Sequence, residues 1–383
     1  MTLATALLVI VPSGVSGVSA DAPVAGLPLL RRIVLAAGRA GWTTLLAGPS
    51  PSSVERALAG ASTMVLAPEG SIPARSPCRV LFLSMATVPQ PEWLRRLLEI
   101  PLDPERLYVD GSAAALIHTS DPGRVLAAAG RGAGLREVVA ALGATTEVVT
   151  WSLDGGGRFV LRSVRDLPDA ETWLMRRLIK PNEGFMSRHF ERRISLALTR
   201  RLCATGITPN AMTLVSLAIG LGCAPFFLSP APLVQVAGAL LFLTHSILDG
   251  CDGELARLKF LESRWGAILD IAGDNLVHTV VFVCMAVGWS RHAHSGWPLI
   301  LGAIAVASTL SIAVIVYGRG MRASTQHAPA SALSRVADVI VYRDFIYLIL
   351  LLATAGKAHW FVAVTAVGAP VFLLLLLWLG RKA

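Results

Sequence analysis

Four aspartates set in otherwise apolar sequence, Asp249, Asp252, Asp270 and Asp274, are the residues best placed to do chemistry. A carboxylate in a membrane-type segment costs roughly 2.5–3.5 kcal/mol on insertion scales, so a group of them in one short stretch needs a function. Asp249 and Asp252 are three residues apart, and Asp270 and Asp274 are four apart. Each pair therefore shares one face of a helix. Two helices that bring those faces together would form a cage of carboxylate oxygens. Oxygen-only ligation suits Mg2+, Mn2+ or Ca2+ better than zinc, which takes Cys and His. Buried ion pairs to Arg257, Lys259 and Arg264 would account for one or two acids. They would not account for two helical pairs with Gly250, Gly253 and Gly266 among them. Glycine is unfavourable inside a helix, and its benefit here would be close approach of a ligand or a neighbouring helix.

The stretch resembles the signature of the CDP-alcohol phosphotransferases, DGxxARx8GxxxDxxxD with a further Asp three residues ahead. Asp249, Asp252, Gly253, Ala256, Arg257, Gly266, Asp270 and Asp274 occupy every fixed position. The likeness runs from about residue 180 to the end. It implies a reaction in which an alcohol hydroxyl attacks the β-phosphorus of a CDP-alcohol and CMP leaves. In that family the first three aspartates are metal ligands and the last is the base. Carried over, Asp249, Asp252 and Asp270 hold two divalent ions, Mg2+ or Mn2+, and Asp274 shares a metal and accepts the hydroxyl proton. Gly253, Ala256, Arg257 and Gly266 face the CDP moiety, with Arg257 neutralising phosphate. Two readings of other classes compete: a cation-transport protein and a catalytically silent scaffold. Transporters often show repeated halves, and no internal repeat is found; the complete acidic motif argues against the scaffold.

The elements that position these residues follow from composition. Hydrophobic residues make up 54% of the chain and charged residues 15%, with a mean hydropathy of +0.61. Long apolar runs are confined to the second half. Six spans are expected, at about 210–229, 233–256, 265–289, 297–317, 344–357 and 359–379; the fifth is short for a bilayer, beginning nearer Val336 or tilting. Thr208-Pro209-Asn210 is a helix start. The net charge of +9 comes from arginines beside apolar spans, which argues against a nucleic-acid module and for cytoplasmic flanks near anionic lipid. Arg and Lys crowd one set of flanks, around 176–201, 257–264, 319–343 and 381–382. Both termini and the aspartates then lie on the cytoplasmic side of a multi-pass cell (inner) membrane protein. Five scattered cysteines without a CxxC pair suggest neither a disulfide framework nor a zinc site.

Residues 171–207 read as a juxtamembrane segment. From Ser187 to Leu202, Phe190, Ile194, Leu198 and Leu202 form an apolar line flanked by arginines. This suits an interfacial helix on anionic lipid. Arg188, Arg192 and Arg193, with Arg343 further on, are also candidates for binding the acceptor's phosphate.

Residues 1–170 read as an α/β domain with a mainly parallel sheet. Strands are expected at Ala6–Val11, Thr43–Ala47, Thr63–Ala67 and Arg79–Ser84, and helices at Pro28–Gly41, Ser52–Gly60 and Glu92–Glu99. The opening run lacks the Lys or Arg of a secretory signal, so a buried first strand is preferred to a signal peptide. The half resembles the sugar-phosphate nucleotidyltransferases. Active members carry Arg and Lys around a Gly-rich first loop and a metal-binding Asp after a central strand. Here the loop from Pro12 to Ala20 has neither cation, and Met85-Ala86-Thr87 follows the strand. The domain reads as one that has lost its chemistry. Its fusion to the membrane half (208–383) resembles the bifunctional enzymes that make CDP-inositol and join it to inositol phosphate. Donor and acceptor stay open between CDP-diacylglycerol and a soluble CDP-alcohol, and between inositol phosphate, glycerol phosphate and another polyol. A homodimer is plausible on the family likeness.

Overall fold

The computed structural model describes residues 5–47, 52–58, 77–131, 134–151, 156–179, 186–326 and 345–380. The chain divides into two compact units, Met1–Arg176 and Arg177–Ala383.

The first unit is built on β1 (Thr5–Val11), whose run TALLVIV buries Leu8, Ile10 and Val11 completely. A short hairpin follows, β2 (Pro23–Val24) with β3 (Leu27–Pro28), then α1 (Leu29–Ala40), β4 (Thr43–Leu46) and α2 (Ser52–Leu58). Next come β5 (Cys78–Ser84), β6 (Thr87–Pro89), α3 (Pro91–Glu99), β7 (Arg106–Asp110) and β8 (Ala114–Thr119). The unit closes with α4 (Pro122–Arg131), α5 (Leu135–Gly143), β9 (Glu147–Thr150), β10 (Arg158–Val160) and α6 (Leu167–Arg176). Gly41, left-handed at φ 94, stops α1 and turns the chain into β4. The main sheet has the order β4-β1-β5-β8-β7-β9.

The sheet is mainly parallel, as expected: β4, β1, β5, β7 and β9 share one direction and β8 is reversed, antiparallel to both β5 and β7. The cause of the reversal is local. β7 and β8 are joined through Gly111 (φ 52), with Asp110 opposite Ala114, and so short a link makes a hairpin instead of the crossover a parallel pair needs. The strand expected at Thr63–Ala67 lies outside the described residues, as do the last two positions of the helix expected at Ser52–Gly60.

Among the described residues, the segments that directly follow β1 and β5, 12–20 and 85–89, carry no charged side chain. Ala86 and Thr87 are buried, Thr87 Oγ1 donates to Ala113 O at 3.3 Å, and Met85 N–H donates to Val11 O at 3.0 Å. Asp110 is buried in an ion pair with Arg158, and Asp103 pairs with Arg106 at 2.7 Å on the surface.

The second unit is helical. A wide turn, Ser187–Glu191, leads into α7 (Arg192–Cys203), then α8 (Pro209–Cys223), α9 (Pro232–Lys259), α10 (Arg264–Ala293), α11 (Trp297–Gln326), α12 (Phe345–Thr354) and α13 (Trp360–Gly380). Thr208 caps α8 through its side chain, with Pro209 in the first turn. Among the described residues, five helices are long and apolar enough to cross a membrane: Pro209–Leu228, Pro232–Lys259, Arg264–Ala293, Trp297–Gly318 and Trp360–Trp378. The expected fifth span, 344–357, appears as α12, only 10 residues long; the residues before it, including Val336, lie outside those described. The helices close on Phe242, Val277, Val281, Met285 and Ile349. α9 is the central helix, with 44% of its most apolar window buried, against 17% for α11.

Candidate metal and phosphate site

The site is made by a reversal of the chain. α9 ends at Phe260, left-handed at φ 58, and Leu261 N–H returns to Ala256 O at 2.8 Å. Three residues on, Ser263 starts α10, its Oγ accepting the N–H of Gly266 at 2.9 Å. Capping at both ends fixes the turn, and the side chains of the last part of α9 and the first part of α10 converge across it. The two acidic pairs sit on those parts.

Asp249, Asp270 and Asp274 each present an oxygen within 4.8 Å of the others. Asp252 stands beside them, buried, with its Oδ2 accepting from Thr213 Oγ1 on α8. Among the described residues, Asp270 Oδ1 is a buried oxygen with no hydrogen-bond donor. A buried carboxylate oxygen left this way is costly, and three clustered carboxylates repel one another. A hard divalent cation would answer both problems, and an all-oxygen donor set is what such a cation takes. The residues fit the expected metal.

A cleft of about 190 Å3 opens beside the cluster, with Asp252, Asp270 and Arg257 on its wall. Gly253, Ala256 and Gly266 line the same cleft, as do Asn210 and Thr213 of α8. Gly266 has a specific steric reason. A Cβ on Gly266 would come within 3.0 Å of Ser263 Oγ and 3.2 Å of Asn210 Oδ1. A Cβ on Gly253 would only touch the Arg257 guanidinium, at an ordinary contact distance of 3.4 Å.

The arginines separate. Arg188 and Arg193 are exposed on the turn and on α7. Arg192 Nη1 is engaged with Glu254 Oε1 at 2.6 Å, so its role includes a structural ion pair. Arg343 lies outside the described residues.

Three residues near the site were not legible as such. Thr213 holds Asp252. His245 is buried, accepted by Ser216 O at Nδ1 (2.9 Å), with Nε2 3.6 Å from Asp274 Oδ1. A carbonyl only accepts, so Nδ1 carries a proton and Nε2 faces the carboxylate. Glu254, in the same stretch as the aspartates, is fully buried and accepts from three side chains of α7. For Glu254 a sequence signal existed: a further acid in an apolar span, with Ser195 and Thr199 four apart upstream.

Residues 206–374, in the helical half of the chain, match the family model of the CDP-alcohol phosphatidyltransferases. Among curated proteins the chain is similar to a bifunctional IPC transferase and DIPP synthase of Thermococcus kodakarensis, 36% identical over 126 residues, covering 33% of this chain and 28% of that protein. The protein of the same description from Rubrobacter xylanophilus is 35% identical over 166 residues, covering 43% of this chain and 37% of the relative. The matches thus span well under half the length of these relatives. Among solved structures, phosphatidylinositol phosphate synthase of Mycobacterium tuberculosis with CDP-DAG bound aligns at 21% identity and a TM-score of 0.36, covering 49% of this chain and 94% of that one.

Proposed function

We propose that the protein is an integral-membrane CDP-alcohol phosphotransferase, moving a phosphoryl-alcohol group from a CDP-alcohol to a hydroxyl acceptor with release of CMP. The observation that carries this reading is the convergence of Asp249, Asp270 and Asp274 oxygens within 4.8 Å, beside a cleft lined by Gly253, Arg257 and Gly266, in a segment that matches that family's model.

The chemistry has a charge problem: an anionic pyrophosphate must accept an oxygen nucleophile and release an anion. Divalent ions, Mg2+ or Mn2+, held by Asp249, Asp252, Asp270 and Asp274, supply charge neutralisation on the pyrophosphate and the leaving group. Arg257 pairs with phosphate oxygens from the cleft wall. Gly253 and Gly266 leave backbone open to the cytidine moiety. Asp274, at the edge of the cluster, accepts the proton of the attacking hydroxyl. The new P–O bond forms to the acceptor, the P–O bond to CMP breaks, and CMP departs as the anion.

The donor is CDP-diacylglycerol or a soluble CDP-alcohol such as CDP-inositol, and the acceptor a polyol or polyol phosphate met by Arg188, Arg193 and Arg343. The inositol type is supported by the IPC transferase and DIPP synthase relatives. The first unit is read as nucleotidyltransferase-like and inactive, in keeping with the uncharged segments that follow β1 and β5. Six crossings, with α12 as part of the fifth, put both termini and the site on the cytoplasmic side of the cell membrane, and a homodimer is the expected assembly. The test is CMP release by the purified protein with Mg2+ or Mn2+ and each donor in turn.

A further inference from the structure

α7 is built inside out. Its buried line, continuing from the preceding turn, is Glu191, Ser195, Thr199 and Cys203, each four residues from the last. Phe190 and Ile194 are exposed instead. Burying a polar line is unfavourable unless each group finds a partner, and here partners are found. Ser195 Oγ donates to Glu254 Oε1 at 2.7 Å and Thr199 Oγ1 to Glu254 Oε2 at 2.6 Å. Arg192 Nη1 donates to Oε1 at 2.6 Å. Tyr347 OH on α12 donates to Glu191 Oε1 at 3.1 Å.

Glu254 lies on the other side of α9 from the metal-site carboxylates. It follows Asp252 by two residues, about 200° around the helix. Asp252 meets Thr213 of α8, whereas Glu254 meets α7. A buried ion pair is weak evidence for stability and is better attested as a device for fixing register. Three donors from three successive turns of the α7 segment, converging on one carboxylate, fix both the height and the rotation of α9. Carboxylate oxygens sit about 5 Å from a helix axis, so a slip of ~20° would carry Asp249 and Asp252 by about 2 Å. A misplacement of about 1 Å can cost two orders of magnitude in rate.

We infer that Glu254 is a positioning residue for the aspartate site, locking the rotation of α9 by its bonds to Arg192, Ser195 and Thr199. The catalytic part of this inference rests on the proposed phosphotransferase reading; the metal-binding part does not.

The test uses the full chain in nanodiscs, with Glu254→Gln, Arg192→Gln and the double variant. Melting temperature, Mn2+ affinity by electron paramagnetic resonance, and the kcat and donor KM of CMP release are measured. For Glu254→Gln we expect a folded protein, Mn2+ affinity weakened about fivefold or more, and kcat lowered about tenfold or more with donor KM within about threefold. The double variant should be no worse than the poorer single one, because both break one lock. Wild-type Mn2+ affinity and kcat in Glu254→Gln, or losses that multiply in the double variant, would overturn the inference. If Glu254→Gln fails to fold, Ser195→Ala and Thr199→Val decide it, since they remove one bond each and keep the ion pair. Graded loss of Mn2+ affinity supports the lock, and wild-type affinity in both defeats it. Absence of CMP from the wild type would count against the phosphotransferase reading alone, leaving the Mn2+ series to judge the lock.

Discussion

The hydroxyl of Thr213 on α8 donates to Oδ2 of Asp252 on α9, tying a helix outside the acidic motif to a carboxylate that lines the cleft. Both residues are buried, at the wall of the cleft, so the bond is largely shielded from solvent. Thr213→Val keeps the shape of the side chain and removes the bond. A hydrogen bond to a charged group is worth about 1.5–3 kcal/mol. We expect CMP release to fall about tenfold or more with the fold retained, measured as kcat/KM against melting temperature.

Gly266→Ala should be severe for a different reason. The new Cβ would meet Ser263 Oγ at 3.0 Å and Asn210 Oδ1 at 3.2 Å, at once crowding the cap of α10 and the cleft wall. Gly222 on α8 has open space where a Cβ would go. Gly222→Ala should leave melting and activity near wild type, within about 1 kcal/mol. Activity and melting of the two variants side by side check this; equal behaviour would show that the cap is not under steric constraint.

The acidic motif was readable because metal and phosphate chemistry needs given side chains at given helical spacings. Asp249, Asp252, Asp270 and Asp274 announce themselves along the chain. Thr213, His245 and Glu254 act through partners 29 to 62 residues away, and nothing local names those partners. α7 shows a related limit. The periodicity of Phe190 and Ile194 locates an apolar line, yet it does not say which line meets the protein. The mainly parallel sheet was legible, but its one reversed strand, β8, was not, because β7 and β8 are joined by a hairpin at Gly111 in a stretch without the long apolar runs that revealed β1 and β5. The five long spans were legible from hydropathy alone, and so was the short apolar run at 344–357 that contains α12; what hydropathy did not give was the length of that helix.

In the first unit, Glu105 should make stability depend on acid. Burial pushes its carboxyl up, but the Ser120 N–H, the Thr119 and Ser120 hydroxyls and the Arg124 guanidinium together outweigh that and hold it below its ordinary value of 4.5. A carboxyl depressed in the folded state contributes stability that is full above its unfolded value and is lost as pH falls through the folded one. Thermal unfolding should therefore be flat above about pH 5 and decline below the unfolded value. Glu105→Gln should lower the melting temperature near neutrality and flatten the acid decline. A wild-type acid profile in the variant would remove Glu105 from the account.

Cys78 offers a chemical probe of the same sheet. Burial in β5 pushes its thiol up to about 11, and it is the thiolate that reacts. In the native protein Cys78 should resist alkylation at pH 8 and become reactive only on unfolding, as read by mass spectrometry of labelled peptides. Fast labelling under native conditions would show that β5 opens independently of global unfolding.

The most direct measurement is CMP release by the purified full chain. Mg2+ or Mn2+ is supplied, and CDP-diacylglycerol and CDP-inositol are offered separately, each with a panel of polyol phosphates. We predict metal-dependent CMP from one donor, abolished by chelation and reduced at least about a hundredfold in Asp270→Asn. No CMP from either donor, by protein that still binds Mn2+ at the aspartate cluster, would contradict the assignment as a phosphotransferase of these donors.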